Sequence, residues 1–390
     1  MSTSQRFGDT WASVILDLMR GLAAVMVLGD HWRNFFFVDF GEDNLPQKKM
    51  FVLPYVLTTA GHQAVVIFFV LSGFFISGSV LRMLQSHSWT WRGYATHRLV
   101  RLWIVVVPGL MLCAAWDGLG LSLHATHALY FGDAANHLMH DVADQRKVTY
   151  FVGNLFFLQG KSVPTFGSDA ALWSLANEFW YYLLFPLALI AAWKRQKTTK
   201  RVLCCLLFLA ICFWLRGDFL ALFPIWLAGA VISVLPRIPL WAGVRWAAVV
   251  LYVPLVLTMA VFRGFFDLLL LDYLLTLATG VLLWVLLSAT SRAPNNLLVN
   301  AIRILARGSF SLYILHMPIL AFLAAYLVGN ARWQPTAAHI AAGMAILACT
   351  IIYSFVIAYF TEFRTDVVRR SLELNFPAIT GNKKLLLDRP

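Results

Sequence analysis

Long apolar runs alternate with short polar or basic segments along the whole chain. A helix that crosses a bilayer needs roughly 20 apolar residues. Ten stretches meet or approach that length: 14–37, 61–82, 99–121, 172–193, 202–215, 219–235, 246–262, 265–289, 308–328 and 337–360. The fifth and sixth are short and parted only by Arg216-Gly217-Asp218, so they read as a tight helical hairpin or as one re-entrant pair. Gly329-Asn330 and Trp333-Gln334-Pro335 mark a turn between the last two. No internal repeat stands out. The pattern predicts an all-α, polytopic integral membrane protein of about ten transmembrane helices. It reads as one membrane domain over 1–390, with its core at 14–362 and a cytoplasmic tail at 363–390.

Composition narrows the class. Of 390 residues, 60% are hydrophobic and 13% charged, against about 25% charged in a soluble domain. Too few charges remain to cover a soluble surface. The net charge of +12 raises the question of nucleic acid. The basic residues, however, sit in short clusters between apolar runs, as in the cytoplasmic loops of membrane proteins. The partner they imply is a lipid bilayer, and no nucleic acid. The five cysteines all lie in apolar runs without a CxxC pair, and read as buried thiols rather than disulfides or metal ligands. No metal is expected. The polar N-terminus has no cleavable-signal pattern, so the first span is expected to stay in place.

With ten spans and both termini inside, 21 of the 31 Lys and Arg residues fall in inner segments and nine in outer loops. That bias favours cytoplasmic termini. The longest outer loop, 122–171, is polar and of a size to cap a cavity.

Ionisable residues inside the spans carry the chemistry. The first span holds Asp17, Arg20, Asp30 and His31. A charged side chain near the bilayer centre costs about 2.5–3.5 kcal/mol on insertion scales, so such groups need partners, water or a function. Arg20 and His31 are eleven residues apart, close to three helical turns, which puts them on one face and roughly 16 Å apart along the axis. Asp17 and Arg20 also have the spacing of a simple intrahelical pair. Arg98 and Arg101 stand three apart at the mouth of the third span; guanidiniums there either grip phosphate or anchor topology. Ser174 and Glu178 lie one turn apart in the outer half of the fourth span, where an acidic group is a candidate by default. His316 lies well inside the ninth span. No acidic partner stands near it in sequence, so its loss is expected to cost less than that of His31.

Read together, these segments resemble the acyltransferase 3 family of integral membrane enzymes. Arg20 and His31 are similar to its opening R-x10-H helix. Phe68 to Phe74, FFVLSGF, matches a family run that contains Ser72. Arg98 and Arg101 match its R-x-x-R, and Trp173-Ser174-Leu175 with Glu178 its WSL-x-x-E. Ser311 to His316 resembles its late SLYLLH segment, and Glu362 its terminal acidic residue. The elements keep family order from residue 16 to 362. Glu178 is followed by Phe179 and Trp180 where the family often has Gln, and the Pro that often follows the terminal acid is absent.

The resemblance implies transfer of an acyl group, usually acetyl, from cytoplasmic acyl-CoA to a hydroxyl of a glycan or a small acceptor, often at the outer face of the cell's inner (plasma) membrane. A hydroxyl is a poor nucleophile at neutral pH and needs a base. His31 is the candidate, either as that base or as a brief carrier of the acyl group. Glu178 would orient the imidazole, with Ser174 beside it. Arg98 and Arg101, and Ser72 on the neighbouring span, would bind the donor. Arg20 would guide the pantetheine end or stabilise developing charge. A multi-pass transporter would use the same residue types for ion coupling, but should show repeat symmetry or paired broken helices, and neither is visible. A membrane acyltransferase of another fold would not carry these motifs in order.

Overall fold

The computed structural model describes residues 10–41, 48–123, 127–132, 141–328 and 331–375. The Gly329-Asn330 signal and the end of the predicted tail lie outside these residues. The described chain is helical throughout, with only isolated β-bridges such as Thr10 to Arg292. In order the helices are α1 (Trp11–Phe36), α2 (Lys48–Leu57), α3 (Gly61–Gln85), α4 (Trp91–Ser122), α5 (His127–Tyr130), α6 (Val148–Leu155), α7 (Leu172–Ala192) and α8 (Thr198–Leu215). There follow α9 (Asp218–Val234), α10 (Ala242–Val261), α11 (Leu268–Leu286), α12 (Leu297–Arg307), α13 (Ser309–Leu327), α14 (Ala337–Phe360) and α15 (Thr365–Asn375). Among the described residues nine helical stretches are long and apolar enough to cross a membrane, and α9 is a shorter apolar helix. Every expected span is therefore a helix. The fifth and sixth are two separate helices, α8 and α9, joined where Gly217 takes a φ of +78°, a conformation glycine adopts at little cost.

The described residues form two compact units. The first comprises 10–20, 62–87 and 174–300; the second comprises the described residues within 21–61, 88–173 and 301–375. In the first unit α11 packs against both α9 and α10. There α3 meets α9 backbone to backbone. A Cβ on Gly73 would lie 1.9 Å from the Trp226 carbonyl oxygen, and one on Gly229 would lie 1.9 Å from that of Val70. Small residues permit such close helix crossings in membranes, so the glycine of the FFVLSGF run is a packing requirement. Phe213 on α8, with Trp246 and Leu251 on α10, stays exposed, the surface a bilayer covers.

In the second unit α13 packs between α4 and α14. It is apolar all round and buried from Ser309 through Ala325 at most positions, as expected of a helix with no solvent face. Glu362, just past α14, accepts the backbone N–H and the hydroxyl of Ser311, both at 2.9 Å. This carboxylate satisfies donors in the first turn of α13 and complements its dipole.

One expectation changes. Only Cys113 and Cys204 are buried; Cys205 and Cys349 are exposed and Cys212 is intermediate, because an apolar run in a membrane protein can face lipid as well as core. Helix α4 begins at Trp91, capped by Thr90, whose hydroxyl accepts the Gly93 N–H at 3.2 Å. Arg98 and Arg101 therefore lie two to three turns inside the helix, where its apolar stretch at 99–121 begins.

Candidate active site

The second half of α1 belongs to the second unit and ends in a polar cluster. Asp30 accepts from Arg33 at 3.3 Å and from Asn34 at 3.2 Å. Arg332 reaches Asp39 at 2.7 Å. Trp32 Nε1 donates to the Gly343 carbonyl at 2.8 Å, tying α1 to α14. Between these fixed points stands His31. Its Nδ1 lies 2.7 Å from Nε2 of His316, with the rings nearly parallel at 10°. His316 is fully buried, and its own Nδ1 lies 3.0 Å from the Leu312 carbonyl one turn earlier.

The carbonyl fixes the direction of this chain. It only accepts, so Nδ1 of His316 carries the hydrogen. In a neutral ring Nε2 is then an acceptor, and the hydrogen between the rings belongs to Nδ1 of His31. That leaves Nε2 of a neutral His31 with a lone pair. His316 is thus a direct hydrogen-bond partner of His31.

Glu178 is held within the first unit. Its Oε1 accepts from Ser72 Oγ at 2.6 Å and from the Tyr182 hydroxyl. Trp226 Nε1 donates to Ser72 Oγ at 3.2 Å. The structure therefore joins Ser72 to Glu178, whereas sequence reasoning had placed Ser72 with the donor. Oε2 of Glu178 makes no hydrogen bond among the described residues. Ser174 is buried in the first turn of α7. Arg20 pairs with Asp17 at 3.5 Å, so the intrahelical pair is present.

On α4, the Arg98 guanidinium lies 5.8 Å from the centroid of the Tyr94 ring. Neither Arg98 nor Arg101 is paired with a carboxylate among the described residues. Beside them His97 meets Glu373 of α15 at 3.2 Å. At the other end of α4, Asp117 accepts the backbone N–H and the hydroxyl of Ser168 at 2.9 and 2.6 Å. Next to it Asp169 is sealed from solvent. Burial, and then the Asp117 charge, push its carboxyl well above the usual range. Sequence reasoning missed this pair; its only signal was an aspartate inside the third span. No group of three or more His, Cys, Asp or Glu among the described residues is arranged to hold a metal.

The acyltransferase domain family matches residues 14–360. The chain belongs to the acyltransferase 3 family. The match runs through α1 to α14 and covers every motif discussed above except the terminal acid, Glu362, two residues beyond it. An uncharacterised protein of Haemophilus influenzae is 28% identical over 138 residues, 34% of this acyltransferase 3 chain and 51% of that protein. The chain thus spans about half the length of that curated relative. No solved structure matches it.

Proposed function

We propose that the chain is a multi-pass acyltransferase of the cell's inner (plasma) membrane, with both termini cytoplasmic. It moves an acyl group, acetyl in the simplest case, from cytoplasmic acyl-CoA to a hydroxyl of a glycan or a small acceptor at the outer face. The observation that carries this reading is the free lone pair that the His31–His316–Leu312 chain directs to Nε2 of His31.

Two uses of that nitrogen fit acyl transfer. As a base, Nε2 takes the acceptor's O–H proton while the oxygen bonds to the acyl carbon. The carbon–sulfur bond then breaks and CoA leaves as thiolate. As a carrier, Nε2 itself bonds the acyl carbon first and CoA leaves as thiolate; the acceptor oxygen then displaces the neutral imidazole, and the acceptor's proton passes through water to the thiolate. In both, positive charge on His31 is shared with His316 through their hydrogen bond. Glu178, fixed through Oε1, offers Oε2 to a hydroxyl. Ser72 acts by holding that carboxylate, with Ser174 lining the same helix turn. Arg20 guides the pantetheine end of the donor.

Arg98 and Arg101 are the expected phosphate ligands. Losing one hydrogen bond to a charged group costs about 1.5–3 kcal/mol, so Arg98→Ala and Arg101→Ala should each weaken acetyl-CoA binding about tenfold or more. Binding of acetyl-CoA to the purified variants checks this. Unchanged affinity in the double variant would make the two arginines topology anchors only.

A further inference from the structure

Helix α15 packs against α4, and both belong to the second unit. They meet beside Arg98. Nε2 of His97 lies 3.2 Å from Oε1 of Glu373, and Nε of Arg369 lies 3.9 Å from the same oxygen. An ionised carboxylate only accepts, so Nε2 of His97 carries the hydrogen between them. Arg369 and Arg98 both lie within electrostatic reach of His97. Tyr94, His97, Arg98 and Arg101 recur at the three- and four-residue spacing of one helix face. The face of α4 that carries the two arginines is therefore the one that meets α15. Nε of Arg98 is buried there with no hydrogen-bond partner among the described residues. One carboxylate, that of Glu373, stands among these cationic groups.

That carboxylate is loosely held. The side chains of His97, Glu373 and Arg369 are 41%, 23% and 32% exposed, and ion pairs at such exposure contribute little to stability. A phosphate monoester carries about −1.5 to −2 charge at pH 7 and three acceptor oxygens, so it competes well for the same donors. In the proposed layout the start of α4 and the residues after α14 both face the cytoplasm, the side of the donor. We infer that Glu373 marks a phosphate subsite of the donor. A phosphate of acyl-CoA takes the place of this carboxylate between His97 and Arg369, beside Arg98 and Arg101. The inference rests on the acyl-transfer reading above. It makes α15 one wall of the donor site, with Arg369 a further phosphate ligand and Glu373 the counter-ion that donor displaces.

The test uses the full chain in nanodiscs of phosphatidylcholine, titrated with acetyl-CoA and, separately, with adenosine 3′,5′-bisphosphate, which has phosphates but no thioester. Arg369→Ala should weaken binding of both about tenfold or more, as for the loss of a hydrogen bond to a charged group, and Arg369→Lys should recover part of that. Glu373→Gln is the deciding variant. Its amide oxygen still accepts from His97 while the competing charge is gone, so acetyl-CoA should bind about threefold more tightly, the scale of one exposed ion pair. A Glu373 that only latches α15 to α4 would give unchanged or weaker binding, and a misfolded variant cannot bind more tightly. Affinity of Arg369→Ala within about threefold of the wild type, short of the range for a charged hydrogen bond, would overturn the inference. So would a Glu373→Gln protein that gains no affinity. A lipid phosphate offers the same chemistry, so the series is repeated with phosphatidylglycerol added; effects that appear only then would assign the subsite to a lipid headgroup and overturn the inference. A wild type that binds no acetyl-CoA would overturn the acyl-transfer reading and this inference together, whereas the other failures leave that reading standing.

Discussion

The direction of the hydrogen bond between His31 and His316 follows from one backbone carbonyl. Leu312 fixes the tautomer of His316, and His316 fixes that of His31. Removing the middle member should therefore disorder the reactive nitrogen without removing it. His316→Ala should lower turnover about 100-fold, near the lower end of the general-base range. His316→Gln should lose less, since its amide oxygen can still accept from Nδ1 of His31. Turnover of labelled acetyl-CoA, with donor binding as the control, checks both. His31 could be picked out in the sequence as an ionisable residue inside a span. Arg20, Arg98 and Arg101 could be picked out as cations in or beside the spans, and their part in the site is proposed. The partner of His31 was not legible, because His316 is 285 positions away and no local period connects them. Glu178 was legible as an acid inside an apolar span, but its attachment to Ser72 and Tyr182 depends on how α3 and α7 pack.

Among the elements, α3 and α13 owe their placement to specific side chains. The backbone contact between α3 and α9 leaves no room at Gly73, where a methyl group would meet the Trp226 carbonyl. Backbone cannot yield as a flexible side chain can, so Gly73→Ala should destabilise the chain by at least about 1–3 kcal/mol, the usual cost of overpacking. Thermal unfolding in detergent checks this, and Gly264→Ala, where an added Cβ meets nothing within 4 Å, should leave the midpoint unchanged. The FFVLSGF run could be noticed in sequence, but not the reason for its glycine, which lies in a partner helix some 150 positions later. Hydropathy located all ten long or near-long apolar helices, since each had to bury its backbone polar groups in itself. It did not find α2, α6, α12 and α15, which are too short for the roughly 20-residue criterion.

For the whole molecule, the loop-charge split predicts the orientation and hence where donor and acceptor meet the chain. Reporter fusions after residue 161 and after residue 197 should report opposite sides of the membrane, outside and inside respectively. The same side for both would remove the topological argument for a cytoplasmic donor. The central claim is that His31 is the centre of acyl transfer, and it is tested most directly by one substitution in one assay. Wild type and His31→Ala are compared in membrane vesicles given radiolabelled acetyl-CoA, with acetyl-CoA binding measured in parallel. The expected result is normal donor binding with transfer lowered by about 100-fold or more, the loss typical of removing a general base. Transfer by His31→Ala above about a tenth of the wild-type rate, far short of that range, would contradict the account and move the reaction centre away from His31.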